Sequence, residues 1–224
     1  MSTWVVVAAA GRGERLGADL PKAFVPFRGR PLLAESLDRL EASERIDAIV
    51  VVVPPDWEEP AILLAEELGA GKVSACVAGG ATRSESVRIG VGEVPDGATV
   101  ILVHDAARPF VSDAVIERVL GPLRDGWDGA IPGLPVADTI KRVDGTGTAV
   151  ETVERAGLWA VQTPQAFGAA AFRRALAGSL EDASDCSGFV EAAGGRVRVV
   201  EGDPRLVKVT TAADLEAVEN LPGR

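Results

Sequence analysis

The reactive side chains of this sequence concentrate in a few short segments. The first is Ala8-Ala9-Ala10-Gly11-Arg12-Gly13-Glu14-Arg15-Leu16-Gly17, which follows directly on an apolar, β-branched run. Glycines at 11 and 13 let backbone N–H groups approach a phosphate closely, and the carboxyl end of a strand is where open α/β sheets hold nucleotides. Residues 10–30 carry Arg12, Arg15, Lys22, Arg28 and Arg30 against Glu14 and Asp19, a local charge of +3 in a chain whose formal charge is -10. A bound pyrophosphate can be held largely by amides, whereas a triphosphate undergoing cleavage gains from cations placed on its oxygens. Away from a strand and a glycine turn, the same charges would read as a solvated loop. A dinucleotide-binding loop needs a third glycine where this chain has Leu16, and the acidic residue expected at the end of the second strand is not evident after Val53. A nicotinamide-dependent oxidoreductase is therefore the weaker alternative. No P-loop sequence of the form GxxxxGKS or GxxxxGKT occurs either.

The second segment, Val103-His104-Asp105-Ala106-Ala107-Arg108-Pro109, ends another apolar run with a carboxylate, a guanidinium and the chain's one histidine. Asp105 suits a Mg²⁺ or a ribose hydroxyl, and Arg108 suits a substrate phosphate. The alternative is a turn in which Asp105 and Arg108 pair and His104 caps the strand. For His104 that structural reading is preferred. One histidine and no tyrosine exclude a cluster of histidine metal ligands and speak against most hydrolase mechanisms. Nineteen arginines against four lysines, Lys22, Lys72, Lys141 and Lys208, hint that Lys22 and Lys208 are needed as compact ammonium groups, although compositional drift explains the bias nearly as well. Cys76 and Cys186 are isolated and read as buried thiols.

These segments need elements to position them. Strand-like runs at Trp4 to Ala8, Ala48 to Val53, Val73 to Val77 and Val100 to Val103 alternate with helical patterns at Leu32 to Leu40, Trp57 to Leu68, Ser84 to Val94 and Asp113 to Leu123. Two of the runs are apolar at successive positions, as parallel strands buried on both faces are. An α/β, Rossmann-like, doubly wound and mostly parallel sheet follows. Leu134 to Arg142 and Ala149 to Trp159 flank the turn Asp144-Gly145-Thr146-Gly147, which predicts a protruding β-arm at about 134–160. Its unpaired edges predict packing against a partner subunit, with folding back on its own domain as the alternative. Strand-like Arg196 to Val200 and Leu206 to Val209 and a helix near Ala212 to Val218 complete the chain.

The 224 residues, 47% hydrophobic and 25% charged, fit one globular domain spanning 1–224. The longest apolar run, Trp4 to Ala10, is far short of the roughly 20 residues a membrane helix needs, and the net charge speaks against nucleic acid as a partner. A cytoplasmic protein is expected, with no membrane partner.

Taken together, Gly11-Arg12-Gly13-Glu14-Arg15-Leu16, Pro21-Lys22, the segment His104 to Pro109, Asp138-Thr139-Ile140-Lys141, Gly157-Leu158-Trp159 with Thr163-Pro164-Gln165, and Val207-Lys208-Val209-Thr210 resemble the 2-C-methyl-D-erythritol 4-phosphate cytidylyltransferases over nearly the whole chain. The resemblance implies transfer of CMP from CTP to a sugar-alcohol phosphate in non-mevalonate isoprenoid precursor synthesis, with Mg²⁺ as cofactor and a homodimer formed through the arm. It implies Arg15 and Lys22 at the α-phosphate, with Ala9, Ala10, Gly11, Arg12 and Gly13 along the nucleotide. Gly79, Gly80, Arg83 and Ser86 look like the cytidine side. Asp105, Arg108, Thr139, Arg155 and Lys208 look like the sugar-phosphate side, with Thr139 and Arg155 offered from the arm to the neighbouring subunit. A pentitol phosphate is the alternative acceptor. Cys186, in Ser184-Asp185-Cys186-Ser187, stands where the family usually carries an acid. The short stretch after the last helix suggests a monofunctional enzyme.

Overall fold

The computed structural model describes residues 1–11, 13, 16, 20–178 and 185–222. Strand β1 (Thr3–Ala8) leads into the glycine loop and the short 3-10 turn Lys22–Phe24. A small ribbon of β2 (Pro26–Phe27) and β3 (Arg30–Pro31) precedes α1 (Leu32–Ala42), β4 (Ala48–Val53), α2 (Glu58–Glu67), β5 (Val73–Ala78), α3 (Arg83–Gly92), β6 (Val100–Asp105) and α4 (Asp113–Arg124). There follow β7 (Gly129–Pro135), β8 (Ile140–Val143), β9 (Ala149–Val153), β10 (Trp159–Val161), β11 (Gln165–Gly168), α5 (Ala169–Leu176), α6 (Cys186–Ala192), β12 (Val197–Glu201) and α7 (Ala212–Glu219).

The main sheet runs β10-β7-β11-β6-β1-β4-β5, with β12 alongside β7. Strands β1, β4, β5 and β6 are parallel, and only β10 and β11 run against their neighbours. The valine runs are buried on both sides. Val5, Val7, Ile49, Val51 and Leu102 face α1, α2 and α4, while Val6, Val50, Val52, Ile101 and Val103 face α3, α5 and α6. That two-sided burial is why these strands show no alternation in sequence. From β1 the chain winds outward through β4 and β5, then crosses over α3 to place β6 on the other side of β1. The strand order therefore reverses at the β1–β6 pair, where such sheets open a crevice.

The arm is divided. Its roots belong to the main sheet, with Leu134 opposite Ala160, and its tip is a separate ribbon of β8 on β9. Asp144 Oδ1 accepts the N–H groups of Thr146 and Thr148, and Gly147 takes the left-handed conformation the turn requires (φ 85°). The tip pairs with no other described strand, and its residues are largely exposed, so it does not fold back on its own domain. One expected strand is corrected: residues 206–209 form no ladder. Leu206 and Val209 are apolar because they plug into two separate clusters, and the Val209 N–H donates to the Ala107 carbonyl. Strand β11 and helices α5 and α6 were not among the expected elements.

Helix α3 lies against the sheet through Gly90, where an added Cβ would come within 2.5 Å of Val6 and 2.6 Å of Val52. Gly90→Ala is expected to destabilise the protein by roughly 1–3 kcal/mol through overpacking, despite alanine's better helix propensity. Urea denaturation measures this, and an unchanged or raised midpoint would show that the α3 contact is loose.

Candidate functional site

The carboxyl ends of β1, β4, β5 and β6 open into a cleft of about 690 Å³. Ala9, Ala10, Gly11 and Gly13 form one wall, and Lys22 lies beside them. The loop closes on that lysine: Lys22 N–H donates to the Gly11 carbonyl at 3.1 Å, and a Cβ at Gly13 (φ 73°) would sit 3.1 Å from the Lys22 Cβ. Arg12 and Arg15 lie outside the described residues, as do Glu14 and Asp19.

Gly79 and Gly80 continue the cleft from β5. A Cβ on Gly79 would lie 2.7 Å from both the Ala10 Cβ and the Ser86 Oγ, so only glycine lets these two walls approach. Ser86 is buried, accepts the Gly80 N–H at 3.1 Å and donates to the Thr82 carbonyl at 2.9 Å. Thr82 caps α3 through a reciprocal box with Glu85, which brings Arg83 to the first turn of the helix.

Asp105 occupies the centre. Arg83 donates to its Oδ1 from Nε (3.0 Å) and Nη2 (2.9 Å), and Lys208 Nζ lies 2.7 Å from its Oδ2. Burial alone would raise the Asp105 pKa, but Arg83 and Lys208 outweigh it and hold the carboxyl well below the usual range. Burial likewise opposes the charge on Arg83, and Asp105 more than compensates. The Arg83 Nη1 also lies 3.3 Å from the Cys186 sulfur, a thiol that burial pushes up to about 11. Charged side chains lining the cleft among the described residues are thus Lys22, Arg83 and Lys208 against Asp105.

Arg108 does not pair with Asp105, as the turn alternative expected. Its Nη1 donates to the Leu206 carbonyl and its Nη2 to the Val161 carbonyl at 3.4 Å, which leaves Arg108 Nε buried without a partner in the protein. Thr139 and Arg155 are exposed on the arm and line no part of their own chain's cleft; the Arg155 guanidinium donates to the Ala137 carbonyl. The expectation that Asp105 binds a metal meets an obstacle, because both its oxygens already face cations. Among the described residues no three His, Cys, Asp or Glu side chains gather as ligands.

A match to a family fits this arrangement. The sequence profile of the 2-C-methyl-D-erythritol 4-phosphate cytidylyltransferase (IspD) family aligns with residues 3–222. The chain belongs to that family. It is 46% identical over 223 residues to the 2-C-methyl-D-erythritol 4-phosphate cytidylyltransferase of Nocardia farcinica, an alignment covering 100% of this chain and 95% of the relative. The Saccharopolyspora erythraea protein of the same name is 45% identical, with 98% of each chain covered. Among solved structures, the cytidylyltransferase of Thermus thermophilus superposes with a TM-score of 0.81 at 35% identity, covering 98% of both chains. Membership makes this chain a nucleotidyltransferase rather than an oxidoreductase. No helix among the described residues is long and apolar enough to cross a membrane.

Sequence reasoning missed the supports of the cleft. Gln162 and Cys186 carried no local signal for such a role, and Thr163 and Gln165 were noticed only as part of a motif. His104 is fully buried, and both ring nitrogens are committed: Nε2 lies 3.1 Å from the Arg108 carbonyl and so carries the proton, while Nδ1 accepts from Thr163 Oγ1 at 3.2 Å. It is a strut rather than a base. Burial lowers its pKa to about 4, below its value of roughly 6.5 in an unfolded chain. Between those values the unfolded state binds the extra proton. The stability that neutral His104 contributes is thus complete above about pH 6.5 and is lost as pH falls through about 4. Denaturation titrations should show that His104→Gln loses this part of the slope, and an identical slope in the variant would contradict the assignment.

Proposed function

We infer that this chain transfers CMP from CTP to the phosphate of 2-C-methyl-D-erythritol 4-phosphate, releasing pyrophosphate. The observation that carries the reading is the Asp105 triad. It joins Arg83, at the start of α3 beside Gly79, Gly80 and Ser86, to Lys208, from the segment before α7, within one cleft, and in this reading the nucleotide takes the first side and the acceptor the second. The nucleophile in such a transfer is a phosphate oxygen, largely ionised at neutral pH, so the chemistry needs no side-chain base. The committed, neutral His104 is consistent with that. What the protein must supply is cationic stabilisation of the α-phosphate and in-line placement of two polyanions. Lys22 takes the first role together with Arg15, and Lys208 receives the acceptor phosphate; the Arg108 guanidinium, expected on that side too, instead faces the carbonyls of Leu206 and Val161 and is no part of the cleft's lining.

The described side chains do not form a Mg²⁺ site of their own, since Asp105 is the one carboxylate lining the cleft and is doubly paired. A divalent cation in this reading travels on the triphosphate. The active enzyme is proposed to be a cytoplasmic homodimer. The standing-off arm, the exposed Thr139 and Arg155, and exposed apolar side chains at Val143, Val150, Leu158 and Trp159 support that assembly. Dimerisation would then deliver the arm's Thr139 and Arg155 to a neighbouring cleft.

Pyrophosphate release from CTP, compared between methylerythritol phosphate and pentitol phosphates, tests the substrate; preference for a pentitol phosphate would overturn the acceptor assignment. Lys22→Ala is expected to lower turnover by roughly 100-fold with the fold intact, as when a preorganised charge is removed. Near-normal turnover would sink its role. For the shared site, mixing Lys22→Ala and Arg155→Ala subunits should restore activity, because one of the two clefts in a heterodimer then has both native residues. Subunit exchange without recovery would place Arg155 in its own chain's chemistry.

A further inference from the structure

The consecutive residues Gln162-Thr163-Pro164-Gln165 have no part in the transfer as described, yet Gln162 is 6%, Thr163 3% and Gln165 1% exposed. Polar side chains are buried at a cost unless each polar atom is partnered, so the partners reveal their use. Gln162 reads the backbone of Asp203 as a neighbouring strand would, with Nε2 donating to its carbonyl at 2.9 Å and Oε1 accepting its N–H at 3.0 Å. This anchors the loop that leads from β12 to Lys208. Gln165 works at the other wall: Nε2 donates to Asp185 Oδ2 at 2.7 Å, and Oε1 accepts the Cys186 N–H at 3.2 Å. That fixes the start of α6, where the Cys186 sulfur meets Arg83. Between them, Thr163 Oγ1 accepts the Asp105 N–H at 3.0 Å and donates to His104.

We propose that residues 162–165 are the positioning clasp of the site, with Gln162 setting Lys208 and Gln165 setting Arg83 against opposite oxygens of Asp105. The proposal rests on the reading of the cleft as a cytidylyltransferase site. Neither glutamine lines the cleft, and each acts through the segment it holds. One four-residue segment therefore adjusts the acceptor side and the nucleotide side separately.

Gln162→Met and Gln165→Met keep side-chain volume while removing the donor and the acceptor. Two further variants disturb the same amides: Gly202→Ala, whose Cβ would collide with the Gln162 Oε1, and Asp185→Asn, which removes an acceptor from Gln165. Gln162→Met and Gly202→Ala are expected to raise KM for the sugar-alcohol phosphate about tenfold, the scale of one or two lost hydrogen bonds, with KM for CTP within about twofold. Gln165→Met and Asp185→Asn should do the reverse. Amide hydrogen exchange should quicken at 203–208 in the first pair and at 186–189 in the second. Equal shifts of both KM values, or unchanged KM values with unchanged exchange, would falsify the clasp. If the native enzyme releases no pyrophosphate from CTP, the functional reading fails by itself, and the exchange pattern alone then decides the clasp. Two variants for each amide keep the comparison decisive should one of them not fold.

Discussion

Asp105 ends β6 with 6% of its surface exposed, and an ionised carboxylate at that depth is sustained only by what stands against it. Two cations do so, one on each oxygen. Removing either would leave a buried charge with half its compensation, which is far costlier than losing a surface ion pair. Arg83 comes from the first turn of α3 and Lys208 from the segment before α7, so the pairing ties distant parts of the chain across the mouth of one cleft. Much of the surrounding structure serves to bring these three groups together.

The sheet supplies the first requirement. Parallel strands packed on both faces leave little freedom of register, since sliding one of them would break its contacts with both helical layers. The last residue of β6 is thereby fixed opposite Ala8 of β1. The C-terminal segment is secured differently. Val209 and Val218 join Phe27, Leu32 and Phe110 in a third apolar cluster, and the Arg28 guanidinium donates to the carbonyls of Glu219 and Leu221. Arg28 takes a positive φ of 52° and Gly29 one of 81° in the turn between β2 and β3. A strained arginine there is held by those carbonyls and by the rings of Phe27 and Phe110 at 5.2 and 5.0 Å. Lys208 thus reaches Asp105 from a docked segment rather than from a strand.

The sheet was legible in sequence because the runs of β1, β4 and β6 are continuous and apolar, and their connecting helices are long enough to show a face. The glycine loop was legible because few other roles demand glycine followed by cations at a strand end. Residues 206–209 misled for an identifiable reason: an apolar run records burial and does not record whether a sheet or two separate side-chain pockets does the burying. The Arg83–Asp105 pair was hidden because it joins residues assigned to different substrates, and ion-pair partners distant in sequence leave no periodicity. Gln162 was invisible for a related reason. Its bonds go to the backbone of Asp203, and a backbone partner places no demand on residue type.

The unequal grip of the two cations bears on how an anion would enter. Arg83 holds Oδ1 through two nitrogens and is further confined by Cys186, whereas Lys208 meets Oδ2 through a single ammonium and is 41% exposed at its side chain. On the proposed function, the acceptor phosphate would draw Lys208 toward itself while Asp105 keeps Arg83, so the buried carboxylate would retain a partner. With a single cation the same exchange would strip Asp105 of its only partner at the moment a second anion arrived, and repulsion would oppose binding. Cys186 fits this division of labour. Burial keeps the thiol neutral, so Cys186 confines Arg83 while leaving the guanidinium's charge to Asp105.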